Sequence, residues 1–216
     1  KVMKEADLRA QSSQRFVPCT TDSDHDHPVA PNTLDRDFTA AAPNQKWLCD
    51  ITYIPTDQGW LYLAGVLDCF SRKIVGWSMD TTMPAELVSD ALSMAIQRRR
   101  PGAGLLHHSD RGVQYACRRY QLMLQANGMA CSMSRIGNCW DNAMKESFWS
   151  TLKREAVDGR RFRTIAEARR TVFEYIEVFY NRKPRHSSLG YVSPECFDVC
   201  HSASCRTIPS TWLVGT

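Results

Sequence analysis

The chain has 216 residues and no run of about 18 apolar residues, so no segment is suited to cross a bilayer. It opens Lys1-Val2-Met3-Lys4, without the apolar stretch a secretory signal needs and without a starting Met, which points to a piece of a longer protein. There is no Cys-x-x-Cys among nine cysteines. Their odd number, and their scatter through apolar segments at Cys49, Cys69 and Cys131, argue for reduced thiols in a cytosol and against a disulfide framework. Acidic residues are scarce in one region: Lys and Arg exceed Asp and Glu by 6 over residues 97–139 and by 4 over 140–190, whereas the whole chain carries +4. That basic surplus points to a polyanionic partner. What is plentiful is apolar side chain, at 43%, enough for one buried domain with appendages.

Residues 1–45 hold Ser, Asp, Pro and Asn clusters with little periodicity, and read as a linker or N-terminal arm. The Asp22–His27 run inside it reads as a solvated acidic loop. From Lys46 the pattern changes. Lys46–Pro55, Trp60–Asp68 and Arg72–Met79 read as strands of an antiparallel meander, with a turn at Asp57-Gln58-Gly59. Pro84 opens a helix that closes on Arg98-Arg99-Arg100 before Pro101. Leu105–Ser109 is a short strand delivering Asp110 at its tip, Tyr115–Asn127 a helix, and Met129–Met133 a further strand. Ser134–Asn138 reads as a flexible loop into the next helix. Thr164-Ile165-Ala166-Glu167 is a capping box, opening a helix with Ala168, Val172, Ile176 and Phe179 inward. The order predicts an α/β fold: a mixed five-stranded sheet with helices on both faces.

Three carboxylates fall at unusual positions. Asp50 interrupts an apolar strand, Asp110 ends one, and Glu146 lies in the helical stretch Cys139–Lys153. In that helix Asn142, Glu146, Trp149 and Lys153 share a face expected to point outward, while Met144, Phe148 and Leu152 form a stripe suited to a core. Half-buried acids without a basic partner are costly unless something neutralises them. A pair of divalent cations does so, and carboxylate oxygens suit Mg2+ or Mn2+. His107 and His108, as strand neighbours, point to opposite faces; His107 reads as packing and His108 as the edge of a site. Cys196, Cys200, His201 and Cys205 match no standard zinc spacing and read as incidental thiols. Trp140, Phe148 and Trp149 read as core or interface. Arg182, Lys183, Arg185 and His186 offer contacts to a phosphate backbone, giving affinity without sequence readout.

Asp50 and Asp110 lie 60 positions apart, and 35 residues separate Asp110 from Glu146. Around them stand the words Trp47–Tyr53, Asp68–Trp77, His108–Tyr115, Asn142–Lys153 and Tyr180–Tyr191. In these words, over about 46–195, the chain resembles insertion-sequence transposases (OrfB type) of the retroviral-integrase superfamily, with a DDE catalytic core. The resemblance implies a ribonuclease H-like fold, and makes Asp50, Asp110 and Glu146 the catalytic and metal-binding residues for two Mg2+ or Mn2+ ions. It implies that Lys153 touches the DNA end and that Asn142 contacts the same end; Arg182, Arg185 and His186, from the basic segment, complete the candidate DNA-binding residues. It implies nicking at the element's ends to free a 3′-OH, followed by attack of that hydroxyl on target DNA. The implied partners are element-end and target DNA and further copies of the chain, in a bacterial cytoplasm at the nucleoid. Asp68 and Arg72, inside the matching words, are expected to support the fold. The chain then divides into the arm at 1–45, a catalytic core with a helical extension at 46–195, and a tail at 196–216. Neither a zinc module nor a helix-turn-helix is legible in 1–45, so an upstream DNA-binding segment is expected elsewhere. Two rival readings are another nuclease on the same fold and a domesticated, catalytically idle DNA-binding protein.

Overall fold

The computed structural model describes residues 25–135, 143–183 and 189–201, with side chains from 147 onward in the second stretch. The expected loop at 134–138 falls largely outside them. Strand alternation sorts the apolar residues of β1 (Lys46–Thr56) between two cores: Leu48 and Ile54 face one, Trp47, Cys49 and Ile51 the other. β2 (Gly59–Asp68) and β3 (Ile74–Asp80) complete an antiparallel meander. The β3 ladder begins at Ile74 because Arg72 turns the chain with φ +60°, where the Tyr180 hydroxyl donates to its carbonyl at 3.0 Å. β4 (Leu106–Ser109) and β5 (Ala130–Met133) add in parallel, giving the order β3-β2-β1-β4-β5. The sheet is therefore mixed and five-stranded, as its sequence pattern predicts.

One face carries α1 (Ala85–Arg99), α2 (Val113–Ala116) and α3 (Arg118–Ala126). α1 lies so close to the sheet that a Cβ on Gly76 would sit 2.2 Å from the Ala91 carbonyl oxygen. The single helix expected over Tyr115–Asn127 is broken at Cys117, whose ψ is 146°. Side chains satisfy the carbonyls this frees, with Gln121 Nε2 donating to Tyr115 O at 2.7 Å.

The other face carries α4 (Ala143–Leu152), which widens into a π-helical segment at Lys153–Val157, and α5 (Ile165–Glu174), which widens at Tyr175–Tyr180. Thr164 caps the helix as expected, its Oγ1 accepting from Glu167 N, while the Glu167 carboxylate reaches one residue further back and accepts from Arg163 N. Ala168, Val172 and Ile176 are buried as expected, but Phe179 is 42% exposed and Tyr180 takes the inward place. The wide π turn holds an extra residue, which moves the buried position on by one.

The last helix, α6 (Pro194–His201), crosses the expected boundary between core and tail. Asp198 holds it there through a two-pronged ion pair with Arg99, and Arg99 also reaches Asp68 at 3.7 Å. Asp68 is fully buried and accepts from Asn44 N, Phe70 N and Trp47 Nε1. Burial pushes its carboxyl pKa up, against the pull of those amides and Arg99. Burial also acts against the Arg99 charge, but Asp198 and Asp68 outweigh it and raise its pKa. Asn181 closes the outer edge of β3: its Oδ1 accepts from Ile74 N and its Nδ2 donates to Ile74 O, both at 3.0 Å. In the arm, Thr33 N and Leu34 N donate to Ser132 Oγ on β5, so part of this segment is packed rather than loose. Among the described residues no helix is long and apolar enough to cross a membrane.

Candidate active site

Asp50 projects from the middle of β1 on the face that α4 covers, among Leu48, Gly65, Leu67, Ile74 and Phe148. β4 pairs with β1 in parallel, Lys46 with Leu106 through Leu48 with His108. Continuing that register by two positions brings Asp110, the residue after β4, level with Asp50. Neighbouring strands lie about 4.8 Å apart, so the two carboxylates share one neighbourhood. The Tyr115 phenol responds to both: burial pushes its pKa well up, and Cys49, Tyr120, Asp110 and Asp50 add to the shift.

Local chain geometry fixes each acid. Gly112 N donates to Asp110 Oδ1 at 2.9 Å, and the bare α-carbon of Gly112 lets Asp110 Oδ1 and Gln114 Oε1 approach from either side. Gln114 is buried and donates through Nε2 to Met83 O at 3.2 Å. Across the sheet, Trp149 Nε1 donates to Asp50 Oδ2 at 2.9 Å. The Trp149 ring lies over Gly65, the β2 partner of Asp50; a Cβ there would come within 2.8 Å of Cη2. Trp149 therefore does not face outward with its stripe. It is 8% exposed, because α4 lies in a trough between the sheet and Tyr180, which meets Phe148 at 4.6 Å.

Glu146 lies in α4 one turn before Trp149, and its backbone alone is described. Lys153 begins the π segment, and its ammonium rests over the Tyr53 ring, 4.4 Å from the centroid. Burial pulls the Lys153 pKa down, with Asp158 and Asp50 acting in the opposite direction. Arg182 is exposed and pairs with Glu195 at 3.2 Å. Asn142, Arg185 and His186 lie outside the described residues. His108, fully buried, stands two positions before Asp110 on the same side of β4. Ser132 Oγ accepts two backbone amides, so its one proton goes to His108 Nδ1 at 2.9 Å, which leaves the ring hydrogen on Nε2. His107 packs on the opposite side, its Nε2 2.8 Å from the Tyr120 hydroxyl.

Among the described residues no three His, Cys, Asp or Glu side chains gather as a metal cage. Two of the three expected acids have described side chains, and both supply the hard oxygens that Mg2+ or Mn2+ favours. The donor set therefore fits a divalent cation held by carboxylates. The sequence pattern places Trp149 beside Glu146 on the helix but not as a partner of Asp50, and gives Gly65, Tyr53, Gly112 and Gln114 no role of their own in this site. Gly65 inside an apolar strand was the available signal, since such a glycine often marks a close approach.

Comparison with known proteins gives the family and the fold. The family described as "Integrase core domain" matches residues 40–139 and again 127–194. An insertion element IS600 uncharacterized 31 kDa protein of Shigella sonnei is 49% identical over 197 residues, covering 91% of this chain and 72% of that one. Transposase InsF for insertion sequence IS3A, from Escherichia coli (strain K12), is 47% identical over 196 residues, covering 91% and 68%. The fold is similar to a chain of the simian T-cell lymphotropic virus intasome, with a TM-score of 0.61, 16% identity and coverage of 91% and 66%. It is also similar to the HTLV-2 integrase catalytic core domain described in complex with magnesium in a trimeric form, with a TM-score of 0.54, 14% identity and coverage of 74% and 99%. These two likenesses concern the ribonuclease H-like fold.

Proposed function

The chain belongs to the insertion-sequence transposases built on an integrase core domain, and from that membership we propose that Asp50, Asp110 and Glu146 form its DDE centre. The observation that supports this reading is the parallel pairing of β1, which bears Asp50, with β4, whose last residue precedes Asp110, and the tie from Asp50 through Trp149 to the helix that bears Glu146. The proposed cofactor is a pair of Mg2+ or Mn2+ ions, in line with the magnesium described for the HTLV-2 core. When bound, such ions activate the attacking oxygen and stabilise the leaving one.

The chemistry is two phosphoryl transfers. In the first, a water oxygen attacks a phosphodiester at the element's end, and the broken P–O bond leaves a 3′-OH. In the second, that hydroxyl oxygen attacks a target phosphodiester, loses its proton, and the departing target 3′ oxygen takes one up. Two donors prepare this before DNA arrives: the Gly112 backbone amide holds Asp110 and the Trp149 indole holds Asp50. Lys153, resting on Tyr53, is the proposed contact to the DNA end, and Asn142 is proposed to contact the same end. Arg182, Arg185 and His186 are proposed to follow the phosphates. Joining two ends in concert calls for a multimer of the chain on DNA, acting in the bacterial cytoplasm at the nucleoid.

Asp110→Asn tests the reading. Mg2+-dependent nicking and strand transfer on an element-end duplex should vanish, while binding of the same duplex persists. Cutting and joining at the parental rate would refute the assignment.

A further inference from the structure

Trp149 carries a hydrogen bond between a sheet acid and the helix of Glu146. Three observations meet at this residue. Its indole N–H donates to Asp50 Oδ2 at 2.9 Å, its ring is nine-tenths buried, and its far edge occupies the space a side chain at position 65 would need. Asp50 and Gly65 face each other in the β1–β2 ladder, so one ring touches both members of a single sheet rung. A Phe or Leu would fill the same trough, and the indole adds a donor aimed at a carboxylate.

Resting on the centre proposed above, we propose that Trp149 is a positioning residue: it fixes the rotation of the Asp50 carboxylate and sets α4 at the height where Glu146 can share a cation with it. Gly65 is the other half of the device, the space that lets the ring lie flat enough to reach. The indole touches no reacting atom. Its effect passes through Asp50, as outer partners of metal-binding carboxylates commonly act.

The test uses the 216-residue chain and Mn2+ alone. Free Mn2+ is counted by electron paramagnetic resonance while tryptophan emission is followed in the same titration. In the parent, Mn2+ should bind saturably and quench part of the emission, and Asp50→Asn should lose both. Trp149→Phe keeps the ring, removes the donor, and should weaken Mn2+ binding about 10-fold, within the 10- to 100-fold range seen for outer partners, with the quench gone. Gly65→Ala leaves the indole intact but displaces it, and should weaken binding in the same direction with a reduced quench. A Trp149→Phe or Gly65→Ala protein, folded by circular dichroism, that binds Mn2+ as tightly as the parent overturns the positioning role. If Trp149→Phe does not fold, Gly65→Ala decides alone. Parental affinity in Asp50→Asn, or no binding in the parent, overturns instead the metal centre on which the role rests.

Discussion

Removing the side chain that closes the sheet's outer edge gives the most direct check on how this fold is held. Asn181 reaches across 107 positions to mimic a neighbouring strand, giving one acceptor and one donor to the two backbone groups of Ile74. It is 3% exposed, so water does not replace it freely. Asn181→Ala leaves Ile74 N–H and C=O without those partners. A buried polar group left unmade costs about 1–3 kcal/mol; taking the lower part of that range for each of the two groups, the pair should cost roughly 2–4 kcal/mol. That is a large part of the roughly 5–15 kcal/mol that holds a native domain together. With a urea slope of about 2–3 kcal/mol per molar, the unfolding midpoint should drop by about 1 M with the slope unchanged. Hydrogen exchange gives the local reading: the Ile74 amide should lose protection while amides in the middle of β1 keep theirs. A midpoint within about 0.2 M of the parent, with Ile74 still protected, would refute the argument that Asn181 serves as a strand edge.

Other perturbations test other parts. Gly76→Ala places a methyl 2.2 Å from a helix carbonyl and 2.7 Å from Ala95 N, atoms that cannot rotate away. It should destabilise by about 1–3 kcal/mol or more, read by thermal unfolding. Arg99→Met removes the cation shared by Asp198 and Asp68, whose side chains are almost wholly buried, and should cost about 3–5 kcal/mol at pH 7. The pH dependence has a fixed sign. Because the folded Asp68 carboxyl lies above its ordinary value of 3.8, its contribution to stability falls as pH rises from 3.8 through its folded pKa. Arg99→Met widens that window, so the gap to the parent should grow between pH 4 and pH 7 in urea titrations; a gap constant across that range would refute the coupling. Lys153→Met should weaken binding of an element-end duplex and flatten the plot of log K against log salt by about 0.7–0.9, one phosphate contact.

The sheet was legible because its strands are runs rich in apolar and β-branched residues, and its turns carry Gly59 and the Asp68–Lys73 segment. The helix around Glu146 was legible too, but not which side of it meets the core. Two apolar stripes, Phe148 with Leu152 and Trp149 alone, are both buried, and 3.6-residue periodicity cannot say that a trough accepts both. The π segments were invisible because no proline or glycine marks them; packing selects the wider turn, and Phe179 and Tyr180 exchange sides as a result. The break at Cys117 depends on side-chain bonds from Gln121 that exist once the fold has formed. The boundary expected after 195 yields to Asp198, whose value lies in an arginine distant in sequence. As for the acids, spacing and surrounding words marked Asp50 and Asp110, whereas the groups that hold them, Trp149 and the Gly112 amide, required coordinates.

The ion pair between Arg99 and Asp198 spans 99 positions, and this has a consequence for how the protein is made. At about 5–20 residues per second on the ribosome, Arg99 emerges roughly 5–20 s before the carboxylate that completes it. Chain collapse takes microseconds, so the sheet has ample time to assemble without α6. The helix then docks on a sheet that has already formed, as a latch closing over it. Nascent chains stalled before Asp198 should therefore be cut readily by protease, and chains stalled well beyond it should resist.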